Sequence, residues 1–192
     1  MASRLCLVLG GVRSGKSAFA ERLAGEVGGP TLYVATGLPT DQEMEERIRR
    51  HRQSRPPHWT TIEEPLDLAG RLEEAAACAI SPGVVLPGCV LIDSLDVWVA
   101  NMMMERKDLG ATALESSILC GADRLLQVIG RAAASFVLVS SEVGLSLVPP
   151  APLGRRFQDL LGAVNQRVAA AADRVYLVVA GIPVELKGRA AL

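Results

Sequence analysis

The sequence predicts an α/β fold class, a mostly parallel sheet with helices on both faces. Short apolar runs alternate with longer segments of helical periodicity along the chain. The longer segments span ten or more residues, which is enough for right-handed crossovers between parallel strands. Because no repeat or low-complexity segment interrupts this alternation, we expect a single domain over residues 1–192.

The first half of the chain alternates strands with helices. The predicted strands are 4–9, 31–35 and 89–92, and the predicted helices are 16–27, 40–52 and 65–80. Gly28-Gly29-Pro30 ends the first helix, and Thr40 with Glu43 forms a capping box at the start of the second. Residues 81–88 are rich in Pro and Gly and predict a loop.

The second half repeats the alternation with longer helices. Helices are predicted at 95–105, 112–134 and 153–172, strands at 136–140 and 175–180, and a short edge strand at 184–186. The segment 145–154 contains three prolines and predicts an exposed loop near the active site.

Composition excludes several classes of function. Hydrophobic residues make up 49% and charged residues 21%, and the net charge of −1 argues against nucleic acid or an anionic membrane as a partner. Cys6, Cys78, Cys89 and Cys120 are too scattered for a zinc or redox motif and indicate free thiols in a reducing compartment. No apolar run approaches the roughly 18 residues of a membrane span. The first strand leaves no room for a signal peptide, so we expect a cytoplasmic protein without membrane insertion.

The clearest motif is G-x-x-x-x-G-K-[ST] between the first strand and the first helix. It predicts a P-loop of the P-loop NTPase type (RecA-like). The loop consists of Gly10, Gly11, Val12, Arg13, Ser14, Gly15, Lys16 and Ser17. Backbone N–H groups and the positive end of the helix would surround a triphosphate. Lys16 would reach the terminal phosphates, while the Ser17 hydroxyl would bind Mg²⁺. An ordinary glycine turn is the alternative, and the motif does not distinguish ATP from GTP.

Two carboxylates follow predicted strands. Asp93 ends the strand 89–92, where P-loop proteins place the acid that holds Mg²⁺ or its water, although an aspartate here can also simply cap the next helix. Glu142 follows the strand 136–140. Because ligands of open α/β sheets gather at the carboxyl ends of the strands, both acids could face the nucleotide.

Both histidines of the chain lie in one basic segment. His51 follows Met44 and Ile48 at helical spacing, and His58 stands just before Trp59. Surrounding arginines at 47, 49, 50, 52 and 55 can bind a triphosphate and favour a neutral imidazole that is able to attack phosphorus. A solvated basic helix end containing an incidental histidine is an equally good interpretation of these residues alone.

Over nearly its full length the chain resembles the bifunctional adenosylcobinamide kinase/adenosylcobinamide-phosphate guanylyltransferase family of cobalamin biosynthesis. In the first half, the resemblance rests on GGVRSGKS at 10–17, YVAT at 33–36, EM at 43–44, RI at 47–48, HR at 51–52, RP at 55–56, WTTIE at 59–63 and LIDSL at 91–95. Later it rests on EVG at 142–144, VP at 148–149, RF at 156–157, NQ at 165–166 and AAAAD at 169–173. The basic histidine segment followed by Trp59 and Glu63 is its most specific part.

This resemblance implies a reaction and a site. ATP or GTP would phosphorylate adenosylcobinamide, and GTP would then guanylylate His51, which passes GMP to adenosylcobinamide-phosphate. Some relatives have two adjacent histidines here, and Arg50 replaces the first of them. Further nucleotide contacts are implied at Ala35, Thr36, Gly37, Arg52, Gln53, Ser54, Arg55, Glu63 and Asp93. At Gly37 only the backbone can make such a contact. The resemblance also implies a homotrimer.

Two other functions remain open at this point. A different P-loop small-molecule kinase could use the histidine segment as a lid, and a nucleotide-dependent regulatory switch would need no covalent step. Neither would carry a nucleotide on histidine.

Overall fold

In a computed structural model of the chain, the sheet is mostly parallel, as predicted. The structure describes residues 4–39, 42, 45–46, 48–49, 52, 55–78 and 87–188. The strands are β1 Leu5–Gly10, β2 Thr31–Ala35, β3 Thr60–Glu63, β4 Cys89–Asp93, β5 Ser135–Ser141, β6 Arg174–Val179 and β7 Ile182–Lys187. Among these residues they form one sheet in the order β3-β2-β4-β5-β1-β6-β7, in which only the β6–β7 pairing is antiparallel.

Helices cover both faces of the sheet. They are α1 Lys16–Val27, α2 Leu68–Cys78, α3 Leu95–Glu105, α4 Ala111–Arg131 and α5 Pro152–Ala171. In the larger apolar core, the four helices α2, α3, α4 and α5 pack against one face of the sheet. On the other face α1 packs through Phe19, Ala20 and Ala24 against strand residues that include Tyr33. Among the described residues, the helix that follows the P-loop therefore supplies most of the cover of this face, so its start is fixed against the sheet.

Most predicted elements are confirmed, with shifted ends. The edge strand predicted at 184–186 is longer, as β7, because it pairs with β6 in a hairpin. The helix predicted from residue 65 begins at Leu68. Glu64 Oε1 accepts the amides of Leu66 and Asp67 at 2.9 and 2.7 Å, and this turn postpones the helix.

One strand was missed and one helix is only partly described. β3 pairs in parallel with β2, but its four residues carry too short a pattern to be recognised in the sequence. Residues 42, 45–46, 48–49 and 52 are helical, which agrees with the helix predicted at 40–52. The rest of that predicted helix, the end of the helix predicted to residue 80 and most of the loop 81–88 lie outside the described residues.

Candidate functional site

The predicted P-loop connects β1 to α1 in a tightly folded turn. Arg13 and Gly15 have φ angles of 56° and 92°, in the left-handed region, and α1 begins directly after Gly15. A Cβ on Gly10 would lie 2.4 Å from Ser14 Oγ and 2.8 Å from the Val178 carbonyl oxygen. Gly10 thus allows the loop to turn back against its own strand and against β6.

The turn between β6 and β7 supports the P-loop from behind. The Gly181 amide donates a hydrogen bond of 2.8 Å to the Ser14 carbonyl, and Gly181 Cα lies 3.3 Å from where a Cβ of Gly15 would be. Ala180 and Gly181 both adopt positive φ. Sequence reasoning missed this support. The signal in the sequence that could have indicated it is the Ala180-Gly181 pair, which forms the turn.

Lys16 and Ser17 occupy the first turn of α1, as the motif requires. Lys16 Nζ lies 3.4 Å from the Gly11 carbonyl oxygen, so its ammonium group is held at the mouth of the loop. Ser14 is buried, and its hydroxyl has no hydrogen-bond partner among the described residues. No acidic side chain stands in the first turn of α1, so the positive helix end is not neutralised there.

Three predicted site residues meet at the carboxyl ends of neighbouring strands. Ala35 at the end of β2 pairs with Asp93 on one side and Glu63 on the other. Asp93 Oδ2 accepts a hydrogen bond of 2.8 Å from the Tyr33 hydroxyl. Burial, with the nearby charge of Asp93, raises the pKa of Tyr33, so the hydroxyl stays protonated and donates.

Thr36 links the end of β2 to the end of β4 by hydrogen bonds. It is fully buried, and its hydroxyl accepts the Ser94 amide at 2.8 Å and donates to the Ser94 carbonyl at 2.9 Å. The peptide bond between Asp93 and Ser94 is cis. Asn101 donates to the Thr36 carbonyl at 2.8 Å. Because these groups are hydrogen-bonded within the protein, Thr36 holds the ends of β2 and β4 together. Gly37 lies against Ile48.

A cleft of about 400 Å³ opens beside β3, and we call it the Arg55 cleft. It is lined by Arg52, Arg55, Pro56, Pro57, Trp59, Thr61 and Glu63. Arg52 forms an ion pair with Glu63, and the Arg55 guanidinium lies 3.7 Å from the Tyr33 ring centroid. The cleft combines two cations with an aromatic wall, which suits a base and its phosphates. His51, Gln53 and Ser54 lie outside the described residues, while His58 is exposed.

Glu21 was missed by sequence reasoning, since nothing in the spacing of α1 marks it. Burial raises its pKa and the charge of Asp93 adds to that effect, whereas the Arg55 guanidinium opposes it. Glu21 and Asp93 therefore share one electrostatic environment under Arg55. A second carboxylate therefore stands near the proposed metal ligand Asp93.

The residues present fit Mg²⁺. This ion keeps several waters and typically takes one or two carboxylate or hydroxyl ligands from the protein and the rest from substrate phosphates. Asp93 Oδ1 accepts no hydrogen bond among the described residues, because Tyr33 engages Oδ2. Ser17 supplies the hydroxyl at the start of α1. Among the described residues there is no cluster of three or more His, Cys, Asp or Glu that would hold a metal without a substrate.

A second cleft, of about 470 Å³, lies against the P-loop, and we call it the Glu142 cleft. Its lining consists of Gly11, Val12, Arg13, Ser14, Glu142, Leu145, Ser146, Leu177, Val178, Val179 and Ala180. The P-loop thus forms a wall of this cleft with its outer surface. Glu142 is the one ionisable side chain besides Arg13 in this lining.

In the described part of the chain, helices are too short or too polar to cross a bilayer.

Comparisons with known proteins find relatives over nearly the whole chain. A family model described as "Cobinamide kinase / cobinamide phosphate guanyltransferase" matches residues 6–186. The chain is 40% identical over 186 residues to the bifunctional adenosylcobalamin biosynthesis protein CobP of Pseudomonas aeruginosa, covering 95% of this chain and 96% of that protein. It is 39% identical over 189 residues to the bifunctional adenosylcobalamin biosynthesis protein CobU of Escherichia coli, with 95% and 99% covered. The CobU protein of Salmonella typhimurium is 37% identical over 189 residues, with the same coverage.

Proposed function

Since the chain belongs to the family of cobinamide kinases and cobinamide phosphate guanyltransferases, we propose that it catalyses both reactions on adenosylcobinamide. A nucleoside triphosphate first phosphorylates the corrinoid, and GTP then supplies GMP to the phosphate formed, giving adenosylcobinamide-GDP and pyrophosphate. The observation that carries the proposal is the P-loop, which forms one wall of the Glu142 cleft and stands at the same carboxyl edge of the sheet as the Arg55 cleft. A triphosphate bound by the loop would present its terminal phosphate to the Glu142 cleft when its α-phosphate extends toward the Arg55 cleft.

In the kinase step the P-loop holds the triphosphate. Its backbone N–H groups and the positive start of α1 favour the phosphates, and Lys16 neutralises charge that builds on the leaving diphosphate. The acceptor is the hydroxyl of the aminopropanol arm. Because phosphoryl transfer is mainly a matter of position and charge, these groups account for most of the chemistry.

In the guanylyl step we propose His51 as the nucleophile. Its nitrogen attacks the α-phosphorus of GTP, pyrophosphate leaves, and the phosphate of the corrinoid then displaces the histidine. Dividing a three-body reaction in two lowers the demand on each step. Arg52 and Arg55 lie on either side of residues 53–54 in the chain and face the Arg55 cleft, so they would bind the nucleotide that His51 attacks.

Three further features belong to the proposal. Mg²⁺, held by Ser17 and Asp93, would neutralise charge on the phosphates when bound. Nucleotide contacts are proposed for the P-loop residues 10–17, for Ala35, Thr36 and the backbone of Gly37, for residues 52–55, for Glu63 and for Asp93. The whole chain would act as one catalytic domain, in a homotrimer in the cytoplasm.

The covalent step gives a decisive test. The protein is incubated with Mg²⁺ and α-labelled GTP, denatured, and examined for label that survives alkali and is lost in acid, as a phosphoramidate should be. We expect labelling of the wild type and of His58→Ala, a matched exposed histidine, and none of His51→Ala. If wild type and His51→Ala bind GTP alike and neither retains label, the chain is a kinase of another type or a switch.

A further inference from the structure

The two clefts lie at different positions along one edge of the sheet. The Arg55 cleft lies beside β3, the strand at one edge, whereas the Glu142 cleft lies where β5, β1 and β6 end. The P-loop follows β1, between β5 and β6. A nucleotide whose base and α-phosphate extend toward the Arg55 cleft would leave its terminal phosphate open to the Glu142 cleft.

Glu142 lies between the P-loop and Asp93 along the edge of the sheet. It directly follows β5, which pairs with the P-loop strand β1 on one side and the Asp93 strand β4 on the other. Its backbone amide donates to the Gly10 carbonyl at 3.2 Å, which ties it to the start of the P-loop. Its Oε1 accepts the Gly144 amide at 2.6 Å, so the carboxylate has a fixed orientation. Oε2 accepts no hydrogen bond from the described residues and remains available for a proton.

Exposed apolar side chains line the cleft beside Glu142 or follow it in the chain. Val12 is 79% exposed, Leu145 83% and Leu147 93%, and all belong to the P-loop or to the segment after Glu142. Contiguous exposed apolar residues beside a polar group are typical of a site for a ligand with both characters. A corrinoid has a large ring edge and a hydroxyl at the end of an arm, which matches this combination.

On the basis of the proposed function, we propose that the Glu142 cleft binds the corrinoid and that Glu142 is the general base of the kinase step. The oxygen of the acceptor hydroxyl forms a bond to the γ-phosphorus, and the bond from that phosphorus to its bridging oxygen breaks. The nucleoside diphosphate leaves with the electron pair of that bond. The proton of the hydroxyl passes to Glu142 Oε2.

This role separates the two reactions chemically. An alcohol must lose its proton to attack phosphorus, so a base near the terminal phosphate accelerates the kinase step. The acceptor of the guanylyl step is a phosphate that is already an anion and needs no base. Loss of Glu142 should therefore slow the kinase step and leave the guanylyl step intact.

The first experiment measures both reactions, phosphorylation and guanylyl transfer, in the variant Glu142→Gln. We expect kcat for phosphorylation of adenosylcobinamide to fall about 100-fold or more. Self-labelling by α-labelled GTP and GMP transfer to added adenosylcobinamide-phosphate should stay within about twofold of wild type, which also shows that the variant folds. Glu115→Gln, an exposed carboxylate on α4 outside both clefts, serves as the control and should change neither.

Each result has a separate meaning. If wild type fails to phosphorylate adenosylcobinamide, the proposed function is wrong, whatever the variant does. If wild type is active and Glu142→Gln phosphorylates at the same rate, or if both half-reactions fall together, Glu142 is not the base.

A second experiment tests the cleft itself with Leu145→Ser. We expect KM for both corrinoid substrates to rise fivefold or more, while KM for GTP stays unchanged. Leu153→Ser, which is also exposed but does not line the cleft, is the control. A change in oligomeric state with unchanged corrinoid KM would instead make this surface a subunit contact and overturn the assignment.

Discussion

The Tyr33 hydroxyl donates a 2.8 Å hydrogen bond to Asp93, while the same ring carries the Arg55 guanidinium 3.7 Å from its centroid. One buried side chain thus touches both the proposed metal ligand and the cationic wall of the Arg55 cleft. Tyr33 therefore links the proposed metal ligand to the proposed nucleotide cleft through one strand residue.

We expect Tyr33→Phe to raise the Mg²⁺ concentration needed for half-maximal activity about tenfold. The ring and its packing are retained, but Asp93 loses the donor that orients it, and a hydrogen bond to a charged group is worth about 1.5–3 kcal/mol. Titration of activity with Mg²⁺ measures the effect. Tyr176→Phe, in another buried strand tyrosine, should leave the titration unchanged. Equal curves for wild type and Tyr33→Phe would contradict the role of Tyr33 in orienting Asp93.

Arg55→Lys should weaken GTP binding about fivefold. Lysine keeps the charge but loses the flat guanidinium over Tyr33, a contact worth about 1 kcal/mol. Binding of a non-hydrolysable GTP analogue, followed by calorimetry, measures the loss. Arg49→Lys is the control, because Arg49 is exposed and pairs only with Glu46 in the described contacts. The prediction fails if both variants bind the analogue as wild type does.

Gly10→Ala should destabilise the nucleotide-free protein by about 1–3 kcal/mol. Its new methyl group would overlap Ser14 Oγ and the backbone oxygen of Val178, and such overpacking has this typical cost. Gly11→Ala is a matched control one residue away, since a Cβ there meets nothing within 4 Å. It should cost less than about 0.5 kcal/mol. Urea denaturation without nucleotide distinguishes the two, and an equal loss in both would refute the packing argument.

The buried thiols should resist alkylation at pH 8. Burial raises the pKa of Cys6 to about 12 and that of Cys89 to about 11, from an ordinary value of 9.0, whereas Cys120 is exposed. Iodoacetamide followed by peptide mass spectrometry should find label on Cys120 and none on the other two until denaturant is added. Label on Cys6 under native conditions would contradict this prediction.

Because the folded protein holds these thiols neutral, the free energy of unfolding should fall as pH rises above 9.0 toward 11 to 12.

Local patterns explain what the sequence could predict. The P-loop follows from its own spacing, and the ends of β2 and β4 follow from short apolar runs that stop at Ala35 and Asp93. Parallel strands then bring those ends together without further information. The fold and the phosphate half of the site were accessible for this reason.

What was missed depends on contacts between distant segments. β3 is stabilised by pairing with β2 more than by any pattern of its own. Glu21 gains its relation to Asp93 because α1 packs against the sheet, and Gly181 reaches Ser14 only after β6 lies beside β1. Tyr33 looks like an ordinary core residue until its hydroxyl partner is known. No local periodicity encodes such relations.

The position of β1 in the sheet also has a consequence for biosynthesis. Its two neighbours, β5 and β6, begin at Ser135 and Arg174, so β1 leaves the ribosome long before its partners have been made. Until then its apolar residues and unpaired amides remain open to aggregation or to a chaperone. The nucleotide-binding loop therefore cannot assemble on a nascent chain before most of the polypeptide has been translated.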